Sequence, residues 1–260
     1  ALKPQKALLP IPSFYEYRQA LESVGCQISE ILLKEDEAFC LQKRFVNEIP
    51  MDTDMVCLCN PNNPTGQLID REVLEQVADY CQKTDTCLLL DECFHDFLEE
   101  GSVHTLLPRV KENPKLFVLR AFTKMYGMAG LRLGYGICSD TELIRRMEQV
   151  TQPWNVSVPA QAAGIAAARE QEFVAVSRQM ITEQKKLLLA GLEAAGAKVY
   201  GSAANYIFFR AAPGFDTRMY RAGFMVRNCG NYDGLTEGFY RIAVRTKEEN
   251  ERLITWLGRL

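Results

Sequence analysis

The sequence predicts an α/β fold: a largely parallel sheet flanked by helices, with a smaller α+β domain at the carboxyl end. Three observations carry this expectation. Short apolar runs bounded by turn residues alternate with stretches of helical period, the pattern of a parallel sheet covered on its faces. A stretch with a capping residue and one apolar face lies between two of those runs. From about Ser157 the character changes to Ala-rich helix followed by isolated strand-like pieces.

In order along the chain, MVCLC (Met55 to Cys59), CLLLD (Cys87 to Asp91), LFVLR (Leu116 to Arg120) and LGYGIC (Leu133 to Cys138) read as buried strands. Between the first two, Asp70 can cap a helix whose Val73, Leu74, Val77, Ala78 and Cys81 recur on one face, giving a βαβ crossover. Helical sequence then runs from Ser157 through EFVAVSRQMITEQKKLLLAGLEAAG, long enough to bridge two structural units. A strand at Asn205 to Arg210, a helical stretch around Asp216 to Ala222, a strand at Phe239 to Arg245 and a closing helix from Glu248 complete the reading. The expected division is a large domain over 1–155 and a small carboxyl-terminal domain over 156–260.

Composition narrows the function. The 260 residues are 47% hydrophobic, enough for a large core, and carry 30 basic and 33 acidic side chains for a net charge of -3. These charges are spread along the chain, so no basic face offers itself to nucleic acid or anionic lipid. Nine cysteines without a CxxC pair, and only two histidines, fit a reducing compartment better than a disulfide framework or a metal site; a cytoplasmic enzyme is expected. No apolar run approaches the roughly 20 residues of a membrane span.

Polar residues fall at or just after the ends of the predicted strands, where open α/β sheets bind ligands. NPNNPTG (Asn60 to Gly66) makes a rigid turn that could aim the Asn63 amide into a crevice, although an ordinary Asn-Pro turn reads the same way. Asp91 ends an otherwise apolar strand, and a buried charge must be paired. A protonated ring nitrogen is one suitable partner; a helix end or a structural ion pair is another. In RAFTKMYGMAGLRLGY (Arg120 to Tyr135), Lys124 follows an apolar strand within a Gly-containing loop. Lysine is the residue that an imine with an aldehyde cofactor needs, and partial burial would favour its neutral, nucleophilic form. Thr123 and Arg132 could hold a phosphate, the arginine through its planar fork. Taken alone, Lys124 reads more readily as a surface lysine than as a cofactor anchor.

Together these segments resemble the fold-type I pyridoxal-phosphate enzymes, and within aminotransferase classes I and II the histidinol-phosphate aminotransferase group. PSFYEY, NPNNPTG, DECF, TKMYGMAGLRLGY and FYRIAVRTKEEN occur in the family's order and spacing. The resemblance implies the pyridoxal-phosphate-dependent transferase fold, with 1–155 as the cofactor-binding domain. It implies Lys124 as the lysine that carries pyridoxal 5'-phosphate and acts as general base, and Asp91 as partner of the pyridine nitrogen, which makes the ring a better electron sink. Asn63 would bond the phenolic oxygen, Thr123 and Arg132 the phosphate, and Phe14 would stack on the ring. Arg241, in FYRIAV, lies where the family holds the substrate carboxylate by a bidentate pair. Arg227 matches an arginine that meets an anionic substrate tail, and Asn205 a residue beside the substrate. A homodimer acting on a small amino acid carrying a phosphate is implied as well.

The chain departs from the family at several points. Phe94 stands where a tyrosine commonly bonds the cofactor's phenolic oxygen, and Ala121 where many members have serine. DECFHDF (Asp91 to Phe97), the T-K-x-Y form around Lys124 and QPW (Gln152 to Trp154) are most similar to the threonine-phosphate decarboxylase branch, which serves cobalamin synthesis. The family also carries an amino-terminal segment ahead of ALKP, with a Gly-rich phosphate-binding turn, so the chain is expected to be a fragment with apolar surface uncovered and activity in question. The alternatives are an aminotransferase of the histidinol-phosphate type and, remotely, a non-catalytic cofactor-binding effector domain.

Overall fold

The structure, a computed structural model, describes residues 1–258. Its elements in chain order are β1 (Lys6–Ile11), α1 (Glu16–Glu22), β2 (Gln27–Leu32), α2 (Phe45–Glu48), β3 (Met55–Cys59), α3 (Arg71–Lys83), β4 (Cys87–Asp91), β5 (Leu116–Ala121), β6 (Gly134–Ile137), α4 (Thr141–Val150), α5 (Val158–Ala167), α6 (Gln171–Ala194), β7 (Lys198–Gly201), β8 (Tyr206–Arg210), α7 (Phe215–Arg221), β9 (Arg227–Asn228), β10 (Phe239–Ala243) and α8 (Lys247–Leu257). Six strands form one sheet in the order β2-β1-β3-β4-β5-β6, parallel except for β6, and four form an antiparallel sheet in the order β7-β8-β10-β9. The fold is therefore α/β with a mixed, mostly parallel main sheet. Among the described residues, no helix is long and apolar enough to cross a membrane.

The βαβ expectation is met. The Asp70 carboxylate accepts the backbone N–H groups of Glu72 and Val73 and so satisfies two of the free donors at the start of α3. Val73, Leu74, Val77, Ala78 and Cys81 bury one helix face against Val56, Leu58, Leu88 and Leu90 of the sheet. Alternation along the strands sends Cys59, Leu89 and Asp91 to the other face. There, α1 covers Ala7, Leu9, Cys57 and Cys59 with Tyr17 and Leu21. Farther along that face the cover is thinner. Cys87, Leu89 and Leu119 are half-buried and line an apolar groove of about 430 Å3 with Leu2, Leu143, Met147 and Val150.

Two expectations need correction. LGYGIC does not form a buried parallel strand: β6 is an antiparallel edge strand, and Gly134, Tyr135 and Gly136 are exposed. A connection of only 12 residues from β5 allows a return alongside it, whereas a parallel strand would need a crossover on the opposite side of the sheet. The helical sequence after Ser157 is also two helices rather than one, because α5 ends at Ala167 and α6 begins at Gln171.

A buried ion pair ties β4 to β5. The Glu92 side chain, wholly buried, accepts from Arg120 Nε at 2.8 Å, from Thr105 Oγ1 at 2.8 Å and from the Leu106 N–H at 3.2 Å. Burial raises the Glu92 carboxyl above its ordinary range, and the Arg120 charge opposes that rise. Arg120→Ala leaves the carboxylate without its counter-charge, and a loss of about 3–5 kcal/mol is expected at neutral pH in chemical denaturation. The folded form takes up more protons than the unfolded chain at this site, so stability falls as pH rises through the raised value. The loss caused by the substitution should accordingly shrink in mildly acidic buffer. A constant loss across pH would assign the effect to packing alone.

Candidate active site

The carboxyl ends of β3, β4 and β5 set Cys59, Asp91 and Leu119 side by side. They open onto a cavity of about 450 Å3, a volume that suits a small cofactor with its substrate. Phe14, Asn63, Asp91, Phe94, Thr123, Lys124 and Arg132 all line it, so seven of the sequence-derived site residues converge on one space.

Each is placed by local structure. The loop after β3 is tied down by Asn62, whose Nδ2 donates to Pro12 O at 3.0 Å and to Thr65 Oγ1 at 2.8 Å, while its carbonyl accepts from Tyr206 Oη at 2.7 Å. Gly66 has φ of 66°, and a Cβ there would come within 3.0 Å of the Gly201 backbone, so only glycine fits this close approach of the two sheets. Asn63 is held between these contacts. Its Oδ1 accepts from Arg241 Nη1 and, at 3.5 Å, from Tyr232 Oη, which leaves the amide NH2 free to donate into the cavity.

Asp91 is 8% exposed. Its Oδ2 accepts from Tyr17 Oη at 2.5 Å and its Oδ1 from the Cys93 N–H at 2.8 Å. Among the described residues no lysine or arginine pairs with it. Burial, with the nearby Asp91 carboxylate, holds the Tyr17 hydroxyl well above its usual range, and burial does the same to the thiols of Cys59 and Cys93. These three groups remain protonated at neutral pH. The cavity also holds the primary amine of Lys124.

Lys124 directly follows β5 and its loop, with Nζ 5.2 Å from the centroid of the Phe94 ring. The partial burial expected from the sequence is not found: Lys124 is exposed, because the loop carrying it lies over the open side of the cavity. Arg132 is exposed too, with a left-handed φ of 57°, and donates only to Ala129 O at 3.0 Å. Arg241 lies 4.8 Å over the Tyr206 ring beside Asn63. Strand pairing puts Arg227 directly opposite Arg241, with both side chains on one face of the sheet. Arg227 packs over Tyr232 and lines an adjoining cavity of about 260 Å3 that shares Phe14 with the first. No carboxylate among the described residues pairs with Arg132, Arg227 or Arg241. Two sequence-derived residues line neither cavity: Arg241, which reaches the first through its bond to Asn63, and Asn205, whose carbonyl accepts the Val244 N–H.

Sequence reasoning missed Tyr17, Tyr232 and Arg120. Tyr17 had a signal, since it lies three residues after Phe14, and in the turn that enters α1 its N–H donates to Phe14 O at 3.3 Å. Their rings meet edge to face with centroids 5.6 Å apart.

The donor set fits pyridoxal phosphate. The cavity offers a primary amine for an aldehyde, a buried carboxylate lacking a counter-charge for a protonated ring nitrogen, and an amide donor for a phenolate. It also offers a hydroxyl and a guanidinium for a phosphate.

The model of the aminotransferase class I and II family matches residues 1–257. The threonine-phosphate decarboxylase of Salmonella typhimurium is 35% identical over 260 residues, covering 98% of this chain and 71% of that protein. The histidinol-phosphate aminotransferase of Methanothermobacter thermautotrophicus is 30% identical, covering 97% of this chain and 68% of that protein. The crystal structure of the histidinol-phosphate aminotransferase from Clostridium acetobutylicum superimposes with a TM-score of 0.93 at 26% identity, covering 98% of this chain and 78% of that one.

Proposed function

The chain belongs to the aminotransferase class I and II family, whose cofactor is pyridoxal phosphate, and from that premise we propose that it is an L-threonine O-3-phosphate decarboxylase. The observation that carries the reading is the convergence of Lys124, Asp91, Asn63, Thr123, Arg132 and Phe14 on one cavity, with Arg241 bonded to Asn63 at its edge. The decarboxylase is favoured by 35% identity to the Salmonella typhimurium enzyme, against 30–33% to histidinol-phosphate aminotransferases.

When bound, pyridoxal phosphate supplies an aldehyde that captures an amino group and a ring that withdraws electrons from the substrate's α-carbon. In the proposed roles Thr123 and Arg132 grip the phosphate, Phe14 packs on the ring and Lys124 anchors the cofactor. Asp91 keeps a proton on the ring nitrogen. Asn63 donates its free NH2 to the phenolic oxygen, the bond that Phe94 does not supply. Arg241 holds the substrate carboxylate, and Arg227 on the same sheet face meets the phosphate tail. With the cofactor bound, the Lys124 amine would hold or move a proton at the substrate's α-carbon. The grip of Arg241 and Arg227 would fix the substrate's orientation and so would set which bond at that carbon breaks. The proposal includes a homodimer, which a molar-mass measurement in solution checks.

A second reading, transamination of a histidinol-phosphate-like amino acid, is favoured by the TM-score of 0.93 to the histidinol-phosphate aminotransferase from Clostridium acetobutylicum. The test separates the two. Cofactor-loaded protein is incubated with L-threonine O-3-phosphate, with and without 2-oxoglutarate. The expected result is release of carbon dioxide and formation of 1-amino-2-propanol phosphate regardless of 2-oxoglutarate. Glutamate formed only with 2-oxoglutarate, and no carbon dioxide, would replace the first reading with the second.

A further inference from the structure

Resting on the role given to Asp91 above, we propose that Tyr17 is a positioning residue for that carboxylate: its hydroxyl fixes the orientation of Asp91 and keeps it ionised, so that the shared proton stays on the cofactor's ring nitrogen.

The geometry is specific. A buried carboxylate is costly unless its lone pairs are engaged, and Asp91 has one donor on each oxygen, Tyr17 Oη on Oδ2 at 2.5 Å and the Cys93 N–H on Oδ1 at 2.8 Å. One bond per oxygen fixes rotation about the Cβ–Cγ bond. The remaining lone pairs are left for the cavity that Asp91 and Tyr17 both line. The backbone donor comes from Asp91's own turn, whereas Tyr17 comes from α1, a separate helix laid across the sheet. Tyr17 is itself buried, at 7% exposure, and its ring is braced by Phe14. Burial holds its hydroxyl pKa well above the usual range, so it gives the hydrogen bond without losing the proton.

Hydrogen bonds to a carboxylate lower its affinity for a proton. Without the tyrosine hydroxyl, Asp91 keeps a single donor and competes better for the proton it shares with the ring nitrogen. The ring then loses part of the positive charge on which electron withdrawal depends. Tyr17 does not touch the shared proton and acts entirely through Asp91.

The test uses the full chain loaded with pyridoxal 5'-phosphate carrying 15N at the ring nitrogen. The nitrogen resonance is followed against pH in the unmodified protein, Tyr17→Phe, Asp91→Asn and the double variant. Phenylalanine keeps the ring packing, and circular dichroism confirms the fold. Tyr17→Phe should lower the ring nitrogen's titration midpoint by about one pH unit, a roughly tenfold loss of proton affinity. In the Asp91→Asn background the same substitution should add nothing, since a residue acting through Asp91 has no further effect once the carboxylate is gone. An unchanged resonance in Tyr17→Phe, or an equal shift in both backgrounds, would overturn the proposal. An Asp91→Asn protein whose ring nitrogen titrates normally would overturn the role of Asp91 itself, and the role of Tyr17 with it.

Discussion

Replacing Lys124 by alanine is expected to abolish covalent capture of pyridoxal phosphate and to lower turnover by at least about 10²–10⁴-fold, the contribution of a positioned proton-transfer group. Borohydride should make the cofactor permanent on the unmodified chain, as a mass increase on the peptide containing Lys124, and should leave the variant unlabelled. The exposure of Lys124 makes this test clean. Its one aromatic contact, with Phe94, is worth on the order of 1 kcal/mol or less at an exposed position. Surface truncation alone moves stability by about 0.5 kcal/mol. The variant should therefore melt with the parent protein while losing its chemistry, which separates a lost function from a lost fold. Labelling of a different lysine with equal efficiency would move the anchor elsewhere.

How far the sequence reached follows from what each element advertises. β3, β4 and α3 were legible because a continuous apolar run or a capped periodic face admits few other readings. β1 was not, since Pro10 and Pro12 in LLPIP punctuate it like a loop. Its pairing with β3 involves only Ala7 and Leu8, ahead of those prolines, so the missing N–H groups cost the ladder little. β2, QISEIL at the sheet edge, sets only Ile28 and Ile31 against the core among exposed residues, so it shows neither a continuous apolar run nor strict alternation. β6 misled in the opposite direction. Gly134 and Gly136 look like part of a buried strand, yet a Cβ at Gly136 would lie 2.3 Å from the Phe117 ring, so the glycine serves close packing at an exposed edge.

The site was more legible than the fold around it. Lys124, Asp91, Asn63, Thr123 and Arg132 lie at strand ends, and strand pairing alone brings such ends together. Residues arriving from outside the main sheet were harder. Tyr17 reaches Asp91 only because α1 crosses the face opposite α3, and Tyr232 reaches Asn63 from a loop after β9. Sequence spacing sets Tyr17 beside Phe14 but holds no information about its reach to Asp91, or about that of Tyr232 to Asn63. Asn205 shows the converse: it is adjacent in sequence to Tyr206, which packs under Arg241, yet Asn205 itself lines neither cavity.

Arg241→Ala is expected to reduce kcat/KM for L-threonine O-3-phosphate by roughly 10²–10³-fold. Hydrogen bonds to charged groups contribute about 1.5–3 kcal/mol each, and a bidentate guanidinium makes two of them to one carboxylate. Lysine should not restore the activity, because a point charge lacks the planar fork. Arg241 has no carboxylate partner among the described residues, so its removal leaves no buried acid unpaired. The principal losses inside the protein are its stacking on Tyr206 and its bond to Asn63. The more informative consequence concerns bond choice. If Arg241 holds the carboxylate where its bond to the α-carbon breaks, the variant should lose more decarboxylation than exchange of the α-proton with solvent. Carbon dioxide release and deuterium uptake at the α-carbon, measured on one sample in deuterated buffer, give that ratio directly. A fall in both by the same factor would make Arg241 a binding residue without control over the reaction, and the control would then rest with Arg227 on the neighbouring strand, where Arg227→Ala should shift the ratio instead.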